Sequence, residues 1–151
     1  MIRSPSRHGM SASQTLILAA AITAVTLAIF NRFHGASDQD ARRVTIDRMM
    51  TLMDGLENYA IDNGGMFPTS DQGLKALRIH PTVAPTPHNW KGPYVDDRLP
   101  MTDAWGMPIQ YVSPSDKAPN YAMWSHGADM TSGGDGPDAD IESWNRNSLV
   151  P

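Results

Sequence analysis

The chain contains no cysteine. That excludes disulfide staples, thiolate metal centres and a cysteine nucleophile. Basic side chains are few, 12 against 16 acidic ones, for a net charge of −4. No stripe of Lys and Arg is interleaved with aromatics, so nucleic-acid binding is not expected. There are no tandem repeats and no low-complexity tracts. Catalytic patterns are also missing: no G-x-S-x-G turn occurs, and Ser125-His126 are neighbours whose side chains point to opposite faces of a strand. Asp96-Asp97 and Glu57/Asp62 show no pairing suited to acid–base work. An enzyme is not expected.

Hydrophobic residues are unevenly spread. Residues 10–30 hold no charged side chain, and residues 15–30 (TLILAAAITAVTLAIF) are almost wholly apolar. Twenty-one uncharged residues are enough to cross a bilayer core as a helix. Residues 1–9 (MIRSPSRHG) are short and basic through Arg3 and Arg7. A secretory signal ends in small residues after its apolar run, whereas this run ends at Phe30-Asn31-Arg32-Phe33. Two readings follow: an uncleaved anchor, or a prepilin-type leader cut between Gly9 and Met10, which leaves the anchor in place.

The body is polar and interrupted by proline and glycine. Ile46, Met49, Met50, Met53, Leu56 and Ala60 recur at helical spacing and predict an apolar stripe on a helix over 38–63. Ser37 or Asp38 is positioned to cap it, and Asn63-Gly64-Gly65 to stop it. The Gly35-Ala36-Ser37 break is expected only to soften one long helix that starts in the apolar run. Thr69 or Ser70 can open a short helix with Leu74 and Leu77 inward. Residues 80–93, with Pro81, Pro85, Pro87 and Pro93, read as an extended loop. Tyr94-Val95, residues 109–112 and residues 120–124 are strand candidates, and residues 103–108 a turn. The expected fold class is α+β: a long N-terminal helix whose stripe covers a small antiparallel sheet that could not stand alone.

Residues 125–141 (SHGADMTSGGDGPDADI) pack four aspartates and four glycines into one loop. Carboxylates this close repel one another. Either the loop is a solvated acidic turn, or a hard cation with oxygen ligands neutralises it. The EF-hand spacing is missing. A small exported domain without disulfides needs another staple, and a bound metal ion would serve.

Several stretches resemble, in order, the major pseudopilin of the bacterial type II secretion system. Tyr59-Ala60-Ile61-Asp62-Asn63, then Phe67-Pro68-Thr69 and Asp71-Gln72-Gly73-Leu74-Lys75-Ala76-Leu77, resemble its Y-x-x-D-N…[YF]-P-T-x-x-Q-G-L-x-A-L signature. Asn89-Trp90-Lys91-Gly92-Pro93-Tyr94 with Leu99-Pro100 resembles its Pro-rich loop and following strand. Asp103-Ala104-Trp105-Gly106 with Pro108 and Tyr111 resembles its D-P-W-G turn, and residues 125–144 its calcium loop.

The resemblance implies a type IV pilin-like fold in four segments: leader 1–9, membrane helix 10–31, its amphipathic continuation 32–63, and a periplasmic domain 64–151. It implies Ca²⁺ held by the side chains of Asp129, Asp138 and Asp140 and by the main-chain carbonyl of His126. It implies cleavage after Gly9 by the prepilin peptidase and N-methylation of Met10. It further implies an inner-membrane, single-pass protein that polymerises with itself into a helical pseudopilus. Minor pseudopilins and the inner-membrane secretion platform are the other partners implied. Two positions depart from the family pattern: Met10 replaces its usual Phe, and Gln14 its usual Glu. Asn31 stands where many relatives have proline. The alternatives are a type IV or minor pilin, which commonly closes its C-terminal region with a disulfide, and an anchored periplasmic calcium-binding domain that never polymerises.

Overall fold

The computed structural model describes residues 12–150. Gly9 and Met10, and with them the leader, lie outside the described residues. The first element is the helix α1, Ala12–Asp62, 51 residues long. The chain divides into two compact units, one ending at Ser37 and the other starting at Asp38.

In the first unit the described side chains face solvent. Leu16 is 73% exposed and Ile17 70%. The hydroxyls of Thr23 and Thr26 donate to the carbonyls of Ala19 and Ile22, at 2.9 and 2.8 Å. This back-bonding within one helix satisfies the polar groups without any outside partner. Among the described residues no helix is long and apolar enough to cross a membrane. The apolar run of the sequence extends past them at its start, and at residues 28–30 its side chains lie outside the description.

The second unit starts inside α1. Ile46, Met49, Leu52, Leu56, Tyr59 and Ala60 are buried. The expected stripe is therefore correct at four positions and wrong at Met50, which is 51% exposed. Met53 is partly buried at the edge of the core. Leu52 and Tyr59, left out of the expected stripe, complete the buried face. Neither Ser37 nor Asp38 caps a helix, because α1 runs unbroken through both. Asp38 instead accepts a hydrogen bond from the Trp105 indole at 3.3 Å.

After α1 a short 3-10 helix, Leu74–Leu77, buries Leu74, Ala76 and Leu77. Its approach is fixed by Thr69 and Gln72, each of whose side chains accepts the other's main-chain N–H, at 3.3 and 3.0 Å. The buried Gln72 amide also donates to the carbonyls of Val83 and Pro85, at 2.7 and 2.8 Å. That satisfies the amide's donors and pins the Pro-rich loop. Tyr94-Val95 is not a strand: Tyr94 N–H donates to the Leu77 carbonyl at 2.7 Å, and Val95 is a core side chain.

The sheet has three strands, β1 (Gln110–Val112), β2 (Ala122–Ser125) and β3 (Ile141–Glu142), antiparallel in that order. Tyr111 sits opposite Met123, and Ser125 opposite Ile141. Ile109, Met123 and Ile141 join the helix side chains in one core cluster. Strands this short survive only because that face is covered.

The tyrosines around this core give an alkaline signature. Tyr121 is 8% exposed, and burial first, then the carboxylates of Glu57 and Asp54, push its pKa up to about 12. Burial drives Tyr111 higher still, and its hydroxyl donates to the Pro68 carbonyl at 2.7 Å. Both hydroxyls are favoured as neutral groups in the folded state. The stability they contribute is complete below the unfolded tyrosine value of about 10 and is lost as pH rises through the folded values. The thermal midpoint should fall as pH rises from about 10 towards 12, and Tyr121→Phe should flatten that fall. Melts recorded from pH 9 upward test this; identical slopes in the variant and the parent refute it.

Candidate functional site

The acidic loop leaves β2 at Ser125 and returns at β3. Its first turn is fixed from below. Ser125 is 1% exposed and donates its hydroxyl to the carboxylate of the buried Asp103 at 2.7 Å, and its oxygen accepts Gly127 N–H at 3.3 Å. Gly127 then takes φ +70° and lies under the returning segment 137–139, where Ala128 N–H donates to the Pro137 carbonyl at 3.2 Å. A Cβ at Gly127 would meet the carbonyl oxygens of Pro137 and Asp138 at 2.8 Å and that of Ala139 at 3.0 Å. Three carbonyls thus converge on one point, which only a glycine leaves open. The loop is closed farther out by Asp140 N–H donating to the Gly133 carbonyl at 3.1 Å.

Arg42 ties the loop to α1. One guanidinium nitrogen donates to the Ala139 carbonyl at 2.6 Å and the other to the Ser148 carbonyl at 3.1 Å. Burial lowers the Arg42 pKa from its usual value. An arginine starts so high that it stays charged in spite of this, and both bonds are charge-assisted.

The four residues implied as calcium ligands are placed as follows. Asp129 is exposed, and its carboxylate accepts Thr131 N–H at 3.0 Å and the Thr131 hydroxyl at 2.7 Å. Those two bonds, the main-chain one first, hold its pKa below the usual carboxylate range. Asp138 is exposed at the end of a short 3-10 turn, Gly136–Asp138. Asp140 is half-buried and lies 3.3 Å from Nδ1 of His126. The Trp124 indole can only donate, and it donates to Nε2 of His126 at 3.2 Å. Nε2 is therefore the acceptor, and Nδ1–H donates to Asp140. The His126 ring is thus engaged on both nitrogens, which leaves its main chain as the group open to a cation.

Among the described residues no group of three or more His, Asp or Glu side chains stands ready to hold a metal ion. The loop does not gather a carboxylate cage. What it offers is oxygen donors, the carboxylates of Asp129, Asp138 and Asp140 and main-chain carbonyls. That chemistry fits a hard, loosely coordinated cation such as Ca²⁺ and fits no thiophilic metal.

The sequence pattern missed three parts of this site: Asp103 as the buried acceptor beneath it, Arg42 as its anchor, and the His126 ring as partner of Asp140. Asp103 alone had a local signal, an Asp opening a turn whose N–H groups it can accept. The partners of Arg42 are 97 and 106 residues away, beyond any local pattern.

Comparison with known proteins gives one consistent result. The family model described as type II secretion system (T2SS), protein G matches residues 29–144. The type II secretion system core protein G of Pseudomonas aeruginosa is 38% identical over 110 residues, 72% of this chain and 75% of that protein. The protein of the same description from Vibrio cholerae is 39% identical over 112 residues, 74% of this chain and 73% of that protein. The crystal structure of the major pseudopilin from the type 2 secretion system of enterohaemorrhagic Escherichia coli superposes with a TM-score of 0.59 at 32% identity. It covers 74% of this chain and 92% of that one. The helix-on-sheet unit, the order of its motifs and the extent of these matches agree: this chain belongs to the protein G family of the type II secretion system.

Proposed function

We propose that the protein is the building block of a pseudopilus, anchored in the inner membrane by residues 10–31 and carrying its compact unit on the periplasmic side. The observation that carries this reading is the contrast within α1. From Ile46 to Ala60 one face is buried under a folded domain, while Leu16, Ile17, Leu18, Ile22, Val25 and Leu27 are exposed. Such a surface is stable in lipid or against other copies of itself, not in water. Polymerisation exchanges the first environment for the second, and growth of the polymer would push folded proteins outward.

Removal of residues 1–9 would take away Arg3 and Arg7, leaving 10 basic against 16 acidic side chains, net −6. The test is the intact mass of the protein purified from membranes of its native host. A mass lacking residues 1–9 and carrying one added methyl group is expected. A full-length mass would overturn the processing step and leave an anchored domain that does not polymerise.

The family resemblance and the oxygen-only donor set support Ca²⁺ in the acidic loop, held by Asp129, Asp140 and Asp138 with the His126 carbonyl. The ion would supply the positive charge that lets these carboxylates stay close, and so fix the loop against β2 and β3. Chelation should lower the thermal midpoint by several degrees, since losing a ligand bound only to the folded state removes its mass-action stabilisation. Asp129→Ala should give the lower midpoint at all calcium concentrations. Equal midpoints with calcium and with chelator would refute calcium binding.

A further inference from the structure

Beside the acidic loop lies an aromatic cleft that borders His126 and Asp140 but is built mainly from residues the calcium reading does not use. Trp124 and Trp144 stand edge to face with ring centroids 6.1 Å apart, and both are half-buried. Lys117, from the connection between β1 and β2, sets its ammonium 5.6 Å from the centroid of the Trp144 ring. A cavity of about 340 Å³ opens on one side of this pair, reaching Asn120 and Tyr121. Another of about 230 Å³, reaching Trp124, Glu142, His126 and Asp140, is also lined by Lys117 and Trp144. The two therefore meet at the Lys117–Trp144 contact.

Three properties of this cleft specify an occupant. First, an indole face attracts cations, and here an ammonium already rests on one. Second, Lys117 is exposed and holds no ion pair among the described residues, so displacing it breaks no salt bridge. Third, the unit from Asp38 onward carries all 16 acidic side chains but only nine of the 12 basic ones, net −7. A field of that sign draws basic groups towards the surface that carries the cleft. Arginine suits the cleft better than lysine because its flat, weakly hydrated guanidinium stacks on aromatic faces and pairs with a carboxylate in the same plane.

We propose that this cleft docks a basic segment of a partner polypeptide, an arginine stacking on the Trp124–Trp144 pair and pairing with Glu142. In the free protein Lys117 occupies the ring as an internal stand-in. The proposal does not depend on calcium binding or on processing after Gly9, and its test can be run with either of those refuted.

The test is titration of the full-length protein in neutral detergent, followed by tryptophan fluorescence and calorimetry. The probes are an oligo-arginine peptide, an oligo-lysine peptide of equal length and an N-acetylglucosamine oligomer. The arginine peptide is expected to bind more tightly than the lysine peptide, and Trp144→Leu to weaken it about tenfold. Lys117→Gln should tighten binding, while Lys75→Gln, which removes an equal charge from the 3-10 helix, should change it less. Should Trp144→Leu fail to fold, Glu142→Gln carries the same test and should weaken the arginine peptide severalfold. Equal affinities across the Trp144, Glu142 and Lys117 variants would overturn the proposal and show attraction to the acidic surface as a whole. Binding of the sugar oligomer without the peptides would overturn it in favour of a glycan cleft.

Discussion

Asp103→Ala should destabilise the compact unit by about 3 kcal/mol or more, because three neutral donors lose the single carboxylate that accepts from them. Asp103 is 2% exposed. One carboxylate oxygen accepts Trp105 N–H at 3.1 Å and Met107 N–H at 2.8 Å, and the other accepts the Ser125 hydroxyl at 2.7 Å. Removing the carboxylate leaves three donors without their acceptor, the Ser125 hydroxyl the most deeply buried of them, and a buried donor left unmade costs about 1–3 kcal/mol. The damage also spreads in two directions. The same turn is held to α1, since Arg48 donates to the carbonyls of Thr102 and Asp103 and Thr45 accepts Ala104 N–H at 3.0 Å. It is held to the acidic loop through Ser125, whose oxygen also accepts Gly127 N–H.

Asp103→Asn keeps the shape and an acceptor for the two main-chain donors, and its amide can still meet the Ser125 oxygen. It should fall between the parent and the alanine variant. Urea melts of the three proteins decide the matter. A loss below about 1 kcal/mol for alanine would mean that the turn relaxes and finds other acceptors.

The second large effect belongs to Gly127→Ala, which should cost about 3 kcal/mol or more. Two penalties combine. A φ of +70° disfavours any L side chain by about 1–2 kcal/mol. The new methyl would also stand 2.8 Å from two main-chain carbonyl oxygens and 3.0 Å from a third. Main chain cannot swing aside as a flexible side chain can, so the returning segment must move and loosen its bonds to Ala128 N–H and Arg42.

Gly136→Ala separates the two penalties. Its φ is +62°, but a Cβ there meets nothing within 4 Å. It should cost only the conformational part, about 1–2 kcal/mol. Equal losses at the two positions would show that steric closure at Gly127 plays no part. Because the closed turn carries Asp138 and Asp140 on its return, Gly127→Ala should also abolish any calcium-dependent rise in the thermal midpoint, while Gly136→Ala should retain part of it.

The features legible in the residue order alone are local ones. Ile46, Met49, Leu56 and Ala60 fall on one face because helical geometry repeats every 3.6 residues, and that spacing is visible without a partner. Asn63-Gly64-Gly65 marked the end of α1 for the same reason, and the Asp103–Pro108 stretch declared a turn through its own residue types. The charge-free run before Arg32 and the crowding of aspartates near the C-terminus are likewise properties of neighbours in the chain.

How distant segments pair follows from packing instead. Met50 shares the helical spacing yet faces solvent, because the sheet covers only the face that carries Leu52 and Leu56. β3 is two residues long, too short to show any alternation, and exists because β2 offers Ser125 and Trp124 as partners. Tyr94-Val95 has the composition of a strand, but its main chain is drawn to the Leu77 carbonyl instead. The loop acquires its shape from Arg42 and Asp103, and each is aimed by the packing of an element far from it in sequence. Local residue patterns fix which elements can form. Burial and hydrogen bonding across long separations fix which of their side chains meet.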